Sequence, residues 1–300
     1  MTMNDEVFLT VVTATRDVVA AGRKASMERC VKSVSAIPVP HEHIVCDGGS
    51  TDTTMELLES LSSSHRNLRV FSEPDNGIYQ AFNRGVMNAR GKWIYFLGSD
   101  DYLTSPCALV EVLNAAESKS AQMAISPVEH SDGSCYFSGI KDFGNILIIK
   151  PYSHQGVLML KSVIEDLGFF SEEYRIASDF KLCLMAHLKN VSCIFVNKRY
   201  ANFSVGTGIS CVDATERCER LSISAELLSV EGEDRRLLMT RQILPFCRII
   251  PLLWHPSSII RRGARYAFYR RVAYLFRLLD ETGGPGVFIS FLRGKSRKNV

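Results

Sequence analysis

Two adjacent carboxylates, Asp100 and Asp101, stand where the apolar run 93–97 gives out, just past the small residues Gly98 and Ser99. Such a run reads as a buried strand, and paired carboxylates at its exit suit a hard divalent cation held against a phosphate-bearing ligand. Ser-Asp-Asp is also ordinary turn chemistry, so the pair takes its meaning from the acids upstream. Asp17 follows the β-branched run 8–15, Asp47 follows the run 43–46, and Asp75 follows 68–71. Far downstream, Ala177-Ser178-Asp179-Phe180 offers one more carboxylate, and Tyr152-Ser153-His154-Gln155-Gly156 precedes another apolar run at 157–160.

These residues need elements to position them. The turn Asp47-Gly48-Gly49-Ser50-Thr51-Asp52 leads into apolar positions Met55, Leu57, Leu58 and Leu61, a strand, glycine turn and helix in which Thr51 or Asp52 caps the helix. A second helical pattern over 78–89 leads to Gly91 and the strand at 93–97. Runs alternating in this way predict an α/β fold with a parallel sheet and crossover helices, whose ligands sit at the carboxyl ends of the strands. Asp17, Asp47, Asp75, Asp100 and Asp101 all fall there. The sheet is expected to continue through 122–128 and 157–160, with a hairpin across 130–144 turning at Ser131-Asp132-Gly133-Ser134. Residues 213–240, with Leu221, Ile223, Leu227 and Leu228, read as one helix.

The ordered set Asp47-Gly48-Gly49-Ser50-Thr51-Asp52, Glu73-Pro74-Asp75-Asn76-Gly77-Ile78-Tyr79 and Gly98-Ser99-Asp100-Asp101 resembles the family 2 glycosyltransferases, closest to bacterial members that assemble surface and exopolysaccharides of the colanic-acid type. The resemblance covers roughly the first 210 residues. It implies a GT-A fold, a Rossmann-like, mostly parallel sheet flanked by helices, together with a nucleotide-sugar donor, a Mg2+ or Mn2+ ion and inversion at the anomeric carbon. Carried over by position, the end of the first strand from Thr13 through Thr15 to Arg16 lies near the nucleotide. Asp47 and Asp75 lie near the base, Arg84 near the diphosphate, and Ser99 and Asp100 at the donor. Asp100 is the metal ligand, supported by Asp101. The family's metal motif commonly opens with Asp where this chain has Gly98. His154 and Gln155 match a pair on the acceptor side, and Asp179 matches the catalytic base. Relatives often carry Glu before that base; this chain has Ser178. In such a reaction Asp179 takes the acceptor's proton while a cation on Asp100 offsets charge on the departing diphosphate, and a single displacement turns an α-linked donor into a β-linked product.

Each of these residues has a plainer reading. Asp47 and Asp52 close an Asx turn and cap a helix, Arg84 is a solvated helix residue, Asp179 is a helix N-cap, and His154 is a polar residue beside a buried strand. His41 and His43 flank Glu42, lack a Cys or His partner at zinc spacing, and read as surface.

Composition bounds the rest. Three hundred residues, 46% hydrophobic and 22% charged, can bury a sizeable core. Nine scattered cysteines without a Cys-x-x-Cys pair read as reduced, mostly packing thiols of a cytosolic protein, and the acidic start Met1 to Glu6 lacks a secretory n-region. From Arg241 onward twelve cations face only Asp280 and Glu281, a tail of net +10 in a chain of net +3. Arginines interrupt its apolar stretches before the roughly 20 residues a spanning helix needs. Residues 1–210 are therefore expected as the catalytic domain, with 1–105 the nucleotide-sugar half and 106–210 the acceptor half. Residues 211–300 form a helical, basic, amphipathic extension. That extension suits the inner-leaflet surface, where a lipid-linked acceptor would sit, or else packs on the body or joins a homo-oligomer. No nucleic-acid motif accompanies the basic patch. Gly206-Thr207-Gly208-Ile209-Ser210 reads as a link that closes over the donor. The rival to an enzyme is a catalytically silent nucleotide-binding scaffold of a polysaccharide assembly complex, which Gly98 and Ser178 keep open.

Overall fold

The computed structural model describes residues 7–136, 146–147, 151–206, 214–241, 244, 246–256 and 258–282. The expected link at 207–210, the end of the hairpin at 137–144 and the cations Arg293, Lys295, Arg297 and Lys298 lie outside them.

The chain divides into two compact units, Met1–Asp142 with Ile149–Arg220, and Phe143–Ile148 with Leu221–Val300. In the first, β1 (Leu9–Thr15), α1 (Lys24–Ser35), β2 (His41–Asp47), α2 (Thr54–Ser64), β3 (Leu68–Ser72), α3 (Ile78–Asn88) and β4 (Trp93–Phe96) follow one another as strand and crossover helix. Then come β5 (Tyr102–Leu103), α4 (Pro106–Ser118), β6 (Met123–Ile125), β7 (Val128–His130), β8 (Cys135–Tyr136), β9 (Val157–Leu160), α5 (Lys161–Asp166), α6 (Ser178–Leu188), β10 (Cys193–Phe195) and β11 (Ala201–Phe203). The main sheet has seven strands in the order β10-β6-β9-β4-β1-β2-β3. It is parallel except at β9, which runs antiparallel to both β4 and β6. A smaller sheet, β5-β11-β7-β8, contains the expected hairpin as the pair Val128↔Tyr136 and Glu129↔Cys135. Residue 128 therefore leaves the main sheet, contrary to the sequence expectation for 122–128.

Alternation along β1 sorts the core. Leu9 and Val11 join Trp93, Tyr95, Val34, Leu109 and Leu113 on the side of α1 and α4. Val12 faces the other way onto α3, where Gly85 leaves no room for a side chain against it.

The surface reading of His41 and His43 fails at His43. His43 lies on β2, between β1 and β3, and is buried, as is its neighbour Glu42. The Glu42 carboxylate accepts from Thr10 Oγ1 at 2.8 Å, Arg69 Nη1 at 2.7 Å and the Arg90 backbone at 2.6 Å. Burial would raise its pKa, but these bonds hold it below the ordinary value. His43 Nε2 meets Thr13 Oγ1 at 2.9 Å. An alternating polar pattern signals an exposed face only when no polar partner waits on the neighbouring strand, and here Thr10 and Thr13 of β1 wait.

The helix expected over 213–240 is two, the first beginning in the first unit and ending in the second. α7 (Ala214–Leu227) ends before Ser229, at φ 51°, and α8 (Gly232–Arg241) begins at Gly232, at φ 57°; this left-handed backbone breaks the helical run. α9 (Phe246–Ile249), a 3-10 turn at Pro251–Trp254 and α10 (Ser258–Thr282) follow. Among the described residues no helix is long and apolar enough to cross a membrane. The eight described cysteines are free, and Cys107, Cys135, Cys218 and Cys247 are exposed, so half of them are not core packing.

Candidate active site

A cavity of about 800 Å3 opens at the carboxyl ends of the strands. Its wall includes Thr15, Arg16 and Asp17 after β1, Asp75 and Asn76 after β3, and Ser99, Asp100 and Asp101 after β4, with His154, Gln155 and Arg175 also lining it. Of the residues expected from sequence, Thr15, Arg16, Asp75, Ser99, Asp100, Asp101, His154 and Gln155 meet there.

Three others are engaged elsewhere. Asp47 is fully buried, and its carboxylate accepts from the backbone of Gly49 (3.0 Å) and Ser50 (2.9 Å), from Ser50 Oγ and from Ser72 Oγ (2.8 Å). It fixes the turn after β2, the plainer of its two sequence readings. Gly49 sits there at φ 78°, and a Cβ on it would lie 3.0 Å from Pro74 Cα. Arg84 is buried on α3, with Nη1 donating to the carbonyls of Asp47 (3.3 Å) and Glu73 (3.1 Å) and Nε 3.3 Å from the Glu73 carboxylate. It clasps the ends of β2 and β3 and is not a solvated residue. Thr13 is spent on His43. Asp52 accepts from Thr54 N (2.9 Å) and Ala20 N (2.6 Å), holding the start of α2 against the loop after β1.

Thr15 and Asp75 remain for a ligand. Thr15 is buried and lines the cavity, and its Oγ1 makes no hydrogen bond. An unmet buried hydroxyl costs roughly 1–3 kcal/mol, so a ligand that satisfies it gains accordingly. Burial raises the Asp75 carboxyl, against the pull of the Gly77 amide, Arg84 and Arg16. Asp17 adopts φ 46°, a strained conformation that its contacts hold: its amide donates to Ser50 Oγ at 2.7 Å and its Oδ1 accepts from Thr51 N at 2.8 Å.

Asp100 and Asp101 share one turn but have different surroundings. Asp101 is 1% exposed, with Oδ1 accepting from Ser204 N (2.8 Å) and Oδ2 from Gln155 Nε2 (3.0 Å). Burial first, and then the charge of Asp100, push its carboxyl up to about 7. The Asp100 backbone carbonyl is held by Ser204 Oγ (2.7 Å) and Arg29 Nη2 (3.3 Å). A Cβ on Gly98 would come within 2.7 Å of Asp101 Oδ2 and 3.0 Å of Asp100 Oδ1, so the two carboxylates fold back over the glycine. Two neighbouring carboxylates on a cavity wall are a donor set that fits Mg2+ or Mn2+, which usually take one or two protein oxygens and complete their shell with phosphate and water. Among the described residues no group of three or more His, Cys, Asp or Glu forms an all-protein metal cage.

Asp179 lies in the first turn of α6 and is 7% exposed. Helix α6 is capped at Ala177, so Asp179 is not the N-cap. Its Oδ1 accepts from Phe180 N at 2.7 Å, and its Oδ2 lies 3.2 Å from Nδ1 of His154. The loop before α6 is pinned by Glu219, whose carboxylate accepts from the amides of Arg175 (2.9 Å), Ile176 (2.8 Å) and Ala177 (2.8 Å). Arg175, Glu219 and Ser204 were not picked out from the sequence. Glu219 and Ser204 act through contacts 42 to 104 residues away in the chain, which no local pattern encodes.

Residues 17–168 match the model of Glycosyl transferase family 2. The chain belongs to that family. Among its curated relatives, a PGL/p-HBAD biosynthesis glycosyltransferase of Mycobacterium bovis is 28% identical over 141 residues, 46% of this chain and 55% of the relative. The chain thus spans about half the length of the curated relatives it matches. Among solved structures, S. aureus TarS 1-349 in complex with UDP-GlcNAc superposes with a TM-score of 0.60 at 16% identity, covering 97% of this chain and 93% of that one. The mannosyltransferase PcManGT from Pyrobaculum calidifontis, in complex with GDP-Man and Mn2+, gives 0.57 at 15% identity over 95% and 79%. At such identities the likeness establishes a shared fold, and that fold is the GT-A type.

Proposed function

We propose that this protein is an inverting glycosyltransferase that moves a sugar from a nucleotide-sugar donor to a hydroxyl of a saccharide or lipid-linked saccharide in polysaccharide biosynthesis. The observation that carries the reading is one cavity with two unlike ends. Thr15, Asp75, Ser99 and Asp100 line it from the strand ends, and His154, backed by Asp179, lines it from the turn before β9. Thr15 and Asp75 are donors and acceptors for a nucleoside, and Arg16 is a cation for its diphosphate. Asp100, supported by Asp101, would hold Mg2+ or Mn2+; the bound ion would offset charge gathering on the departing diphosphate. The Asp179 and His154 pair takes the proton of the attacking hydroxyl, and Phe82, 6.2 Å from the His154 ring, walls that side against water. A single displacement inverts the anomeric centre.

The test is a thermal-shift series with UDP-, GDP- and dTDP-sugars, with and without Mn2+, followed by donor hydrolysis. One nucleotide class is expected to raise Tm by mass action and to be turned over with metal. If none shifts Tm and none is hydrolysed, the reading is wrong; binding without hydrolysis favours the silent scaffold.

For the C-terminal unit the proposal is a resting place on an anionic lipid surface. Trp254 (76% exposed) and Tyr269 (70% exposed) stand with Arg265 around a shallow groove, while Ile260, Ala264 and Ala267 point inward from α10. Aromatic rings beside cations suit the headgroup layer. Trp93 is buried, so a blue shift of tryptophan emission on adding phosphatidylglycerol vesicles reports Trp254. No shift, or an equal shift with phosphatidylcholine, would refute lipid binding.

A further inference from the structure

From the contact between His154 and Asp179 we infer that the atom receiving the acceptor's proton is Nε2 of His154, and that Asp179 is a positioning residue behind it. The inference rests on the glycosyl-transfer reading above and deepens it.

Position argues first. His154 lines the cavity, whereas the two Asp179 oxygens face a backbone amide and the imidazole. Asp179 is 7% exposed and is not among the residues that line the cavity, so His154 stands between it and a hydroxyl bound there. Tautomer chemistry argues second. An ionised carboxylate only accepts, so the 3.2 Å contact favours the tautomer with the proton on Nδ1, which leaves the Nε2 lone pair as the basic site. Rigidity argues third. His154 lies in a short 3-10 turn running straight into β9, with Phe82 packed edge-on to its ring. Asp179 is held through the α6 loop by Glu219, and Tyr79 Oη donates to the Ile176 carbonyl in the same loop.

In the step itself, the acceptor oxygen bonds to the anomeric carbon as its proton passes to Nε2. The bond from that carbon to the diphosphate oxygen breaks, and its electron pair leaves with the nucleoside diphosphate. The resulting imidazolium is stabilised by the adjacent carboxylate until it gives the proton to solvent. No redox partner is needed.

Hydrolysis of UDP-N-acetylglucosamine and GDP-mannose by the full chain with Mn2+ tests this, because water needs the same base. His154→Ala should lower kcat about 10²–10⁴-fold, the range for a general base, and added imidazole should restore it at least tenfold. Asp179→Asn should lower kcat by less, about 10- to 100-fold, with donor KM unchanged. The double variant should be no slower than His154→Ala, since residues acting as a unit are not additive. A larger loss in Asp179→Asn than in His154→Ala, an additive double variant, or no imidazole rescue would each overturn the inference. Calorimetric binding of UDP and GDP separates the two levels. If the wild type binds neither and hydrolyses no donor, the glycosyl-transfer reading fails; if binding is intact and the rank order reverses, only this inference fails.

Discussion

The end of β2 and the end of β4 carry the same residue type on the same edge of one sheet, yet they do opposite things with it. Asp47 is saturated by four donors from Gly49, Ser50 and Ser72, all of them local or on the adjoining strand. At the end of β4, Asp101 accepts from Gln155 and Ser204, which lie far off in the chain, and Asp100 lies on the cavity wall beside it. A strand-end carboxylate becomes part of the fold when a following glycine turn aims amides at it, and stays available to a ligand when the turn points them elsewhere. Charge at a strand end therefore marks a candidate; the turn's own hydrogen bonds decide its role.

The contrast breaks most readily by neutralising each acid in turn. Asp100→Asn should lower metal-dependent donor turnover about 10³-fold, the scale on which charge stabilisation acts in a closed site, while leaving Tm unchanged within error. Asp47→Asn should do the reverse. Loss of a buried charged acceptor should cost about 3 kcal/mol, roughly 10 °C in Tm for a domain this size, with nucleotide affinity retained by the folded fraction. Differential scanning fluorimetry beside steady-state hydrolysis reads both. Two variants with the same profile would erase the distinction.

A smaller effect sharpens it. Gly98 stands where the family's metal motif commonly has Asp, and restoring that Asp should hurt. Its Cβ would meet Asp101 Oδ2 at 2.7 Å and Asp100 Oδ1 at 3.0 Å, and a third carboxylate would add like-charge repulsion. Gly98→Asp is expected to weaken Mn2+ activation about tenfold, as a metal titration of turnover would show. Tighter Mn2+ binding at full turnover would mean that the two carboxylates swing aside freely.

The same contrast explains what could be read from the chain before its structure. Strand, turn and helix order through β4 was legible because buried parallel strands are unbroken apolar runs closed by Gly, Asp and Ser. The meeting of Asp75 and Asp100 followed from the rule that ligands gather at strand carboxyl ends, whereas His154, which precedes its strand, was placed by the family resemblance alone. What stayed hidden was long-range satisfaction. Arg84 and Arg175 are indistinguishable as letters, but one donates to the Asp47 and Glu73 carbonyls and the other lines the cavity. His43 looked exposed because its partner Thr13 lies 30 residues away in the chain. The break between α7 and α8 was missed because Ser229 carries no sequence mark of its left-handed backbone.

The mildest prediction asks which region sets acid stability, the cavity or the interior of the sheet. Burial, aided by the charges of His41 and His65, lowers His43 to about 3, and burial lowers His187 to about 4. Both lie below the ordinary value of 6.5, so the unfolded chain takes up protons that the native one refuses. Their contribution is complete above pH 6.5 and is lost as pH falls from there toward 4 and then 3, by up to about 1.4 kcal/mol per pH unit for each histidine. Glu42, also depressed, adds its loss only below its ordinary 4.5. Between pH 7 and 5 the two histidines should lower the urea-unfolding free energy as pH falls, while the raised Asp101 carboxyl, protonated in the native chain and ionised in the unfolded one, opposes them. The loss on acidification should shrink in His43→Gln and grow in Asp100→Asn, because removing the Asp100 charge lowers the Asp101 carboxyl and weakens its opposing contribution. A loss that grows in His43→Gln or shrinks in Asp100→Asn would reverse the signs assigned to the interior of the sheet and to the end of β4.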